Sequence, residues 1–138
     1  MIQAVIDTNV IVSGMLSPSG NEALVLLAVD HGIVQPCFSE EILSEYADVL
    51  ARPKFSFPPD QVAAFIGLFR QKGTLVQTKS SRVFSPDPDD TKFLHCAETA
   101  KVDCIVTGNK RDFPDSPYGQ IYILNASELM DWVTRRFE

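Results

Sequence analysis

The sequence predicts an α/β protein: a three-layer α/β/α sandwich around a central, mostly parallel five-stranded sheet, formed as one domain over residues 1–138. Three observations carry this. Short apolar runs rich in β-branched residues alternate with helical stretches almost throughout. The runs are mostly apolar instead of alternating, as strands covered on both faces tend to be. At 138 residues the chain is long enough to bury a core without disulfide staples.

The elements follow in order. IQAVI (2–6) is a strand that stops abruptly at Asp7. VIVSGML then reads as a short helix closed by Pro18. Ser19-Gly20-Asn21-Glu22 fits a capping box. The helix it opens carries Ala23, Leu24, Leu27, Ala28 and His31 at helical spacing and ends at Gly32. IVQPCF (33–38) is the second strand. Ser39 caps a helix to about Ala51, with Glu40 and Glu41 at its positive end and Pro53 beyond it. A helix over roughly 60–72 turns Val62, Phe65, Ile66 and Phe69 inward. TLVQT (74–78) is the third strand, and a loop, SSRVFSPDPDD, leads into a helix from about Asp89 to Lys101. DCIVT (103–107) and QIYIL (120–124) complete the sheet, and Asn125 or Ser127 caps a last helix ending at Arg135, Arg136, Phe137 and Glu138. Crossovers between parallel strands are expected to be right-handed.

Composition narrows the class. Hydrophobic residues at 45% and charged residues at 22% exclude a disordered or fibrous chain. No apolar run reaches the roughly 18 residues of a membrane span. MIQAVIDTN has no basic region ahead of its apolar run, so no signal peptide is expected. Cys37, Cys96 and Cys104 are odd in number and show no CxxC spacing, which predicts free thiols and a cytoplasmic location. The net charge of −6 argues against plain electrostatic binding of nucleic acid. The charge is uneven, however. Arg52, Lys54, Arg70, Lys72, Lys79 and Arg82 stand against Asp60 alone over residues 52–82, a stretch suited to guiding a polyanion.

In open parallel sheets the ligand site lies beyond the carboxyl ends of the strands. Asp7 follows strand one directly, and Thr107-Gly108-Asn109 ends another strand at the same edge. On a helical wheel Glu45 lies about 110° from the centre of the stripe Ile42, Leu43, Tyr46, Val49 and Leu50, at the border of the buried face, whereas Asp48 at about 170° faces water. Asp90 falls about 30° from the centre of the stripe Phe93, Leu94, Ala97 and Ala100, while His95 at about 170° is expected to be exposed and no ligand. Converging carboxylates repel, and a divalent cation removes that cost. Oxygen-only donors point to Mg²⁺ or Mn²⁺, and to hydrolysis of a phosphodiester. A structure that places Asp7, Glu45 and Asp90 far apart, or ties them up in ion pairs with Lys or Arg, would end the scheme.

These segments resemble the PIN-domain ribonucleases. VIDTNVIVSGMLSPSG is similar to the family opening, with the first acid after strand one in a D-[ST]-N context. SEEILSEYADVLARPKF resembles its second acidic helix, and SPDPDDTKFLHCAETAKVDCIVTGNKRDF its third segment, D-P-x-D before a helix and then a strand ending T-G-D. The resemblance runs over essentially the whole chain and is strongest to toxin components of toxin–antitoxin systems, relatives of VapC toxins. It implies Asp7, Glu45 and Asp90 as catalytic, metal-binding carboxylates, with Asn109 a departure from the family's fourth acid and Asp112 supplying charge in its place. It implies Thr8, Asn9 and Thr107 as substrate-positioning residues, and Asp87 and Asp89 as loop acids. A metal-dependent endoribonuclease acting on single-stranded RNA follows, with homodimerisation and an antitoxin partner whose tail occupies the acidic groove. The resemblance also admits an inactive PIN-like scaffold, which Asn109 alone favours and the retention of Asp7, Glu45 and Asp90 argues against. A haloacid-dehalogenase-type phosphatase needs a second Asp where Asn9 stands, and a receiver needs an acidic pair where Asp7 stands alone. Phosphate-loop and dinucleotide motifs are absent.

Overall fold

The computed structural model describes residues 1–78 and 90–136. Five parallel strands form one sheet: β1 (Ile2–Ile6), β2 (Val34–Phe38), β3 (Thr74–Leu75), β4 (Cys104–Val106) and β5 (Tyr122–Leu124), in the spatial order β3-β2-β1-β4-β5. Six helices surround it: α1 (Thr8–Leu16), α2 (Asn21–Asp30), α3 (Glu40–Leu50), α4 (Pro59–Lys72), α5 (Thr91–Ala100) and α6 (Ala126–Arg135). Four of the five residues of β1 are buried although successive side chains point to opposite faces, so both faces of the sheet are covered. This is the α/β sandwich expected. The order reverses between β1 and β4, because β2 and β3 extend to one side and β4 and β5 to the other. A sheet of this kind opens a crevice at that reversal.

Helix α3 is fixed to the sheet by an aromatic cluster. Tyr46 meets Phe65 and Phe69 edge-on, and Phe69 stacks on Phe38 of β2. The Tyr46 hydroxyl donates to the carbonyl of Ile6, the last residue of β1, so the helix carrying Glu45 is tied to the strand end that carries Asp7. Ser39 caps α3 as expected, its Oγ accepting from the Ile42 amide at 3.2 Å.

Several local expectations are corrected. The Ser19–Glu22 capping box does not form: α2 starts one residue later, with Gly20 as its N-cap and no side-chain cap bond, so Glu22 sits one position too early for the reciprocal contact. The box is instead complete at α6, where the Asn125 side chain accepts from the Glu128 amide and Glu128 accepts from the Asn125 amide. In α2 the buried face is Val25, Ala28 and Val29, and Leu24 and Leu27 lie exposed. Residues 23–29 are apolar on every side, so periodicity could not select a face. β3 pairs only through Thr74 and Leu75, with one further bond from the Val76 amide to Phe38 O, because its partner β2 ends at Phe38 and the chain turns there into α3. Pro36 is tolerated inside β2 because its nitrogen faces the β3 side, where pairing begins only at Cys37. Helix α1 begins at Thr8, earlier than its apolar run. His95 is half-buried, not exposed. Among the described residues no single helix is long and apolar enough to cross a membrane.

All three cysteines are buried and free. Burial pushes the Cys37 thiol up to about 11 and those of Cys96 and Cys104 to about 12. Thiolate is the reactive form, so these sulfurs are inert in the native fold. An aromatic disulfide reagent at neutral pH should label none of them before denaturant is added and all of them afterwards.

Candidate active site

The carboxyl ends of β1 and β4 meet at the reversal of strand order, and the chain places Asp7 and Thr107 there. The Asp7 amide bonds to Val106 O at 2.9 Å and the Thr107 amide to Leu124 O at 2.9 Å, so both residues leave the sheet at one level. Asp7 is the N-cap residue of α1, yet its carboxylate makes no cap bond. Its Oδ2 accepts instead from the Thr107 hydroxyl at 2.8 Å, across the crevice. The same hydroxyl accepts from the Asn109 amide at 3.0 Å, and Asn9 Oδ1 accepts from the Gly108 amide at 3.1 Å. The loop after β4 is thus sewn to the start of α1 by Asp7, Asn9 and Thr107.

Asp7 is only 5% exposed. Burial is the main cause that holds its carboxyl above the ordinary range. The bonds from Thr107 and from the Thr8 backbone oppose this, and the charges of Glu45 and Asp112 add to it. Among the described residues no Lys, Arg or His forms an ion pair with Asp7. The Asn109 side-chain Nδ2 donates to Oδ2 of Asp112, which turns that half-buried acid toward the same loop. The loop itself is anchored from outside by Lys110, whose Nζ lies 2.8 Å from Oε1 of Glu128, and this pairing holds the Glu128 carboxyl below its ordinary range.

Glu45 stands at the border of the buried face, as the wheel predicts, and accepts from the Thr8 hydroxyl through Oε2. Its Oε1 lies 2.7 Å from Lys92 Nζ. That ion pair corrects the premise that only a dication relieves the repulsion: at Glu45 a lysine 13% exposed does so. Sequence reasoning missed Lys92. It sits in the first turn of α5, and the long lysine stem reaches well beyond the direction its Cβ takes. Asp90 is half-buried at the N-cap of α5, without a side-chain cap bond. The structure thus gathers Asp7, Glu45 and Asp112 at the carboxyl edge. Among the described residues no three His, Cys, Asp or Glu side chains are set to close round one ion. Asp87 and Asp89 lie outside the described residues.

Mg²⁺ commonly takes one or two protein carboxylates and keeps its waters. A buried carboxylate with no cationic partner among the described residues, under the charge of two further acids, fits such an ion. The basic stretch is less free than its composition suggests, since Arg70 makes two bonds of 3.0 Å to Glu40. Lys54 lies 5.0 Å from the centre of the Phe55 ring, and Lys79 and Arg82 lie outside the described residues.

A five-stranded parallel sheet in the order 3-2-1-4-5, with an acid at the reversal and a T-G-N loop opposite it, is the arrangement of a PIN-type domain. The chain belongs to the PIN domain family, which matches it over residues 3–111. It is also similar to the uncharacterized protein MJ1680 of Methanocaldococcus jannaschii, with 26% identity over 112 residues that cover 79% of this chain and 72% of that protein. PIN domains are generally nucleases, and they usually use divalent metals.

Proposed function

We propose that the protein is a Mg²⁺- or Mn²⁺-dependent endoribonuclease acting on single-stranded RNA, the toxin component of a toxin–antitoxin pair. The observation that carries the reading is Asp7: a carboxylate nearly removed from water, at the switch point of the sheet, with acids beside it and, among the described residues, no ion pair made to it. Such an arrangement destabilises the fold unless a positive ligand repays it. When bound, a divalent cation supplies Lewis acidity and positive charge at a scissile phosphate. Asp7 is its main ligand, with Asp90 entering the shell at the head of α5 and Asn109 offering a carbonyl oxygen. Thr107 holds Asp7 Oδ2, and Asn9 holds the loop that bears Asn109. Both Glu45 oxygens are engaged, one by Thr8 and one by Lys92, so Glu45 positions these two groups, and Lys92 presents a fixed positive charge to substrate phosphate. Asp112 adds negative charge beside Asn109. In this reading the basic stretch 52–82 guides the RNA backbone, which predicts that binding weakens with salt.

Purified protein with Mn²⁺ should cleave a single-stranded RNA, lose the activity in a chelator and regain it on adding Mn²⁺ back. Cleavage that persists in the chelator, or none in either metal, refutes the reading. Lys92 makes the ion count a separate question. With Glu45 neutralised by a lysine and Asn109 uncharged, calorimetric titration should find a single Mn²⁺ per chain, and Lys92→Met should open a second, weaker site at Glu45.

A second reading, an inactive scaffold that binds protein or RNA, is favoured by the Glu45–Lys92 pair together with Asn109. The two readings part on the melting temperature, which Mn²⁺ raises only where the native state binds it. The partners follow the family: an antitoxin whose tail enters the acidic groove, and a second copy of the chain, for which Leu16, Leu24 and Leu27, each 42% exposed or more, supply apolar surface. The cytoplasmic location belongs to the same proposal and is supported by the three free thiols.

A further inference from the structure

We propose that a cleft at the amino-terminal edge of the sheet is a nucleotide-binding site, in which an aromatic base packs against Tyr122 and Trp132 and a phosphate lies on Arg135 and Arg136. The cleft has a volume of about 420 Å³ and is completed by Asp103 and Gln120, a size within the usual range of small-ligand pockets. Asp103 precedes β4 and Tyr122 opens β5, and the two are joined by a bond from the Tyr122 amide to Asp103 O at 3.1 Å. Thr107 is four residues further along β4, so the cleft stands about 13 Å from the acidic site, at the opposite end of the strands. It is therefore independent of the nuclease reading and does not rest on it.

The lining is unusual for this chain. Its only Trp is here, and Tyr122 is 45% exposed, a large ring left open to solvent. The two rings meet edge to face, with centroids 5.3 Å apart and planes at 75°. In that geometry the ring that presents its edge keeps both of its own faces uncovered by its partner, and an uncovered aromatic face is what a base stacks on. Although the chain carries a net charge of −6, among the described residues the cleft holds two arginines against one acid. Among the described residues neither arginine forms an ion pair. The acid is partly spent, since Asp103 Oδ2 accepts from the Gln3 amide at 2.9 Å. A guanidinium pair matches a phosphate in geometry as well as charge. Gln120 offers both a donor and an acceptor to a base edge. An apolar ligand would leave the arginines unanswered, and a bare anion would leave the rings idle. A nucleotide uses both.

Trp132 reports on this site alone, because the chain has no second indole. Its fluorescence is followed during titration with adenosine monophosphate, adenosine, inorganic phosphate and a short oligoadenylate, all without divalent metal so that no strand is cut. Adenosine monophosphate should quench it saturably, and adenosine or phosphate should bind at least about tenfold more weakly, each lacking one half of the contacts. The double change Arg135→Ser/Arg136→Ser should weaken the nucleotide roughly tenfold or more without moving the melting temperature. Tighter binding of the oligoadenylate than its number of nucleotides explains identifies a strand as the source, and equal binding per nucleotide identifies a free nucleotide. Either result supports the site. No saturable quenching, binding untouched by the double change, or phosphate binding as tightly as the nucleotide overturns it. Loss of quenching in Asp7→Asn would move the binding to the acidic groove and overturn it equally.

Discussion

Asp7→Asn should lower Mn²⁺-dependent RNA cleavage by more than roughly 100-fold, since outer-shell partners of a metal alone are worth about 10–100-fold and Asp7 is proposed as an inner ligand. The same change should make the metal-free protein more stable at neutral pH. Burial and the charges of Glu45 and Asp112 hold the folded Asp7 carboxyl above its ordinary value of 3.8. A raised folded value means that the protonated acid suits the fold better than the carboxylate does. The stability this contributes is fully present below pH 3.8 and is lost as the pH rises through the folded value. Asn keeps an oxygen for the Thr107 hydroxyl and never ionises. The variant should therefore melt with the wild type at the acid end and above it at neutral pH. Adding Mn²⁺ should raise the melting temperature of the wild type and leave the variant where it was. A variant that cleaves normally, or that is less stable than the wild type at neutral pH, contradicts the assignment of Asp7. The combination of lost activity with gained stability separates a ligand residue from one that merely holds the fold.

The part of this site that could be read in the sequence is the part the backbone dictates. A parallel strand that ends abruptly in an acid puts that acid at the carboxyl edge, and a second strand ending T-G-N puts its loop at the same edge. The bond from Thr107 to Asp7 follows once β1 and β4 are neighbours. Glu45 was legible for a similar reason, because an amphipathic helix states its buried face clearly, as α3 does with Ile42, Leu43, Tyr46 and Leu50. What escaped depended on side-chain reach or on missing contrast. Lys92 touches Glu45 through a four-carbon stem that no wheel describes. Helix α2 has no polar side between residues 23 and 29 to mark what faces out. Tyr46 read as core, and it is; nothing in its spacing showed that its hydroxyl would hold the carbonyl of Ile6.

The two glycines of the α4 region should respond to alanine with opposite signs. Gly73, the C-cap of α4, has an extended backbone (φ −111°), so its conformation makes no demand for glycine. Space does. A Cβ there would fall on the Pro36 carbonyl oxygen, 2.6 Å from Phe38 Cε1 and 2.8 Å from Pro36 Cγ. The first of these is backbone of a central strand and cannot yield cheaply. Gly73→Ala should therefore cost about 3 kcal/mol or more, the upper range for overpacking a tight contact. For a chain of this length that corresponds to a fall of roughly 10 °C in melting temperature. Gly67, on the exposed side of the same helix, would place its Cβ in open space. Gly67→Ala should stabilise by about 0.5–1 kcal/mol, through helix propensity alone. The contrast matters for the site because β2 leads directly into the Ser39 cap and so sets the position of α3, which carries Glu45 and Tyr46. Pushing β2 away from Gly73 disturbs the strand that pairs with β1, which ends at Asp7. At a temperature where Gly73→Ala remains folded, its cleavage should fall along with its stability, whereas Gly67→Ala should cleave as the wild type does. Equal melting temperatures for the two variants would show that β2 yields at Pro36, and that the close approach of α4 does not hold the strand in place.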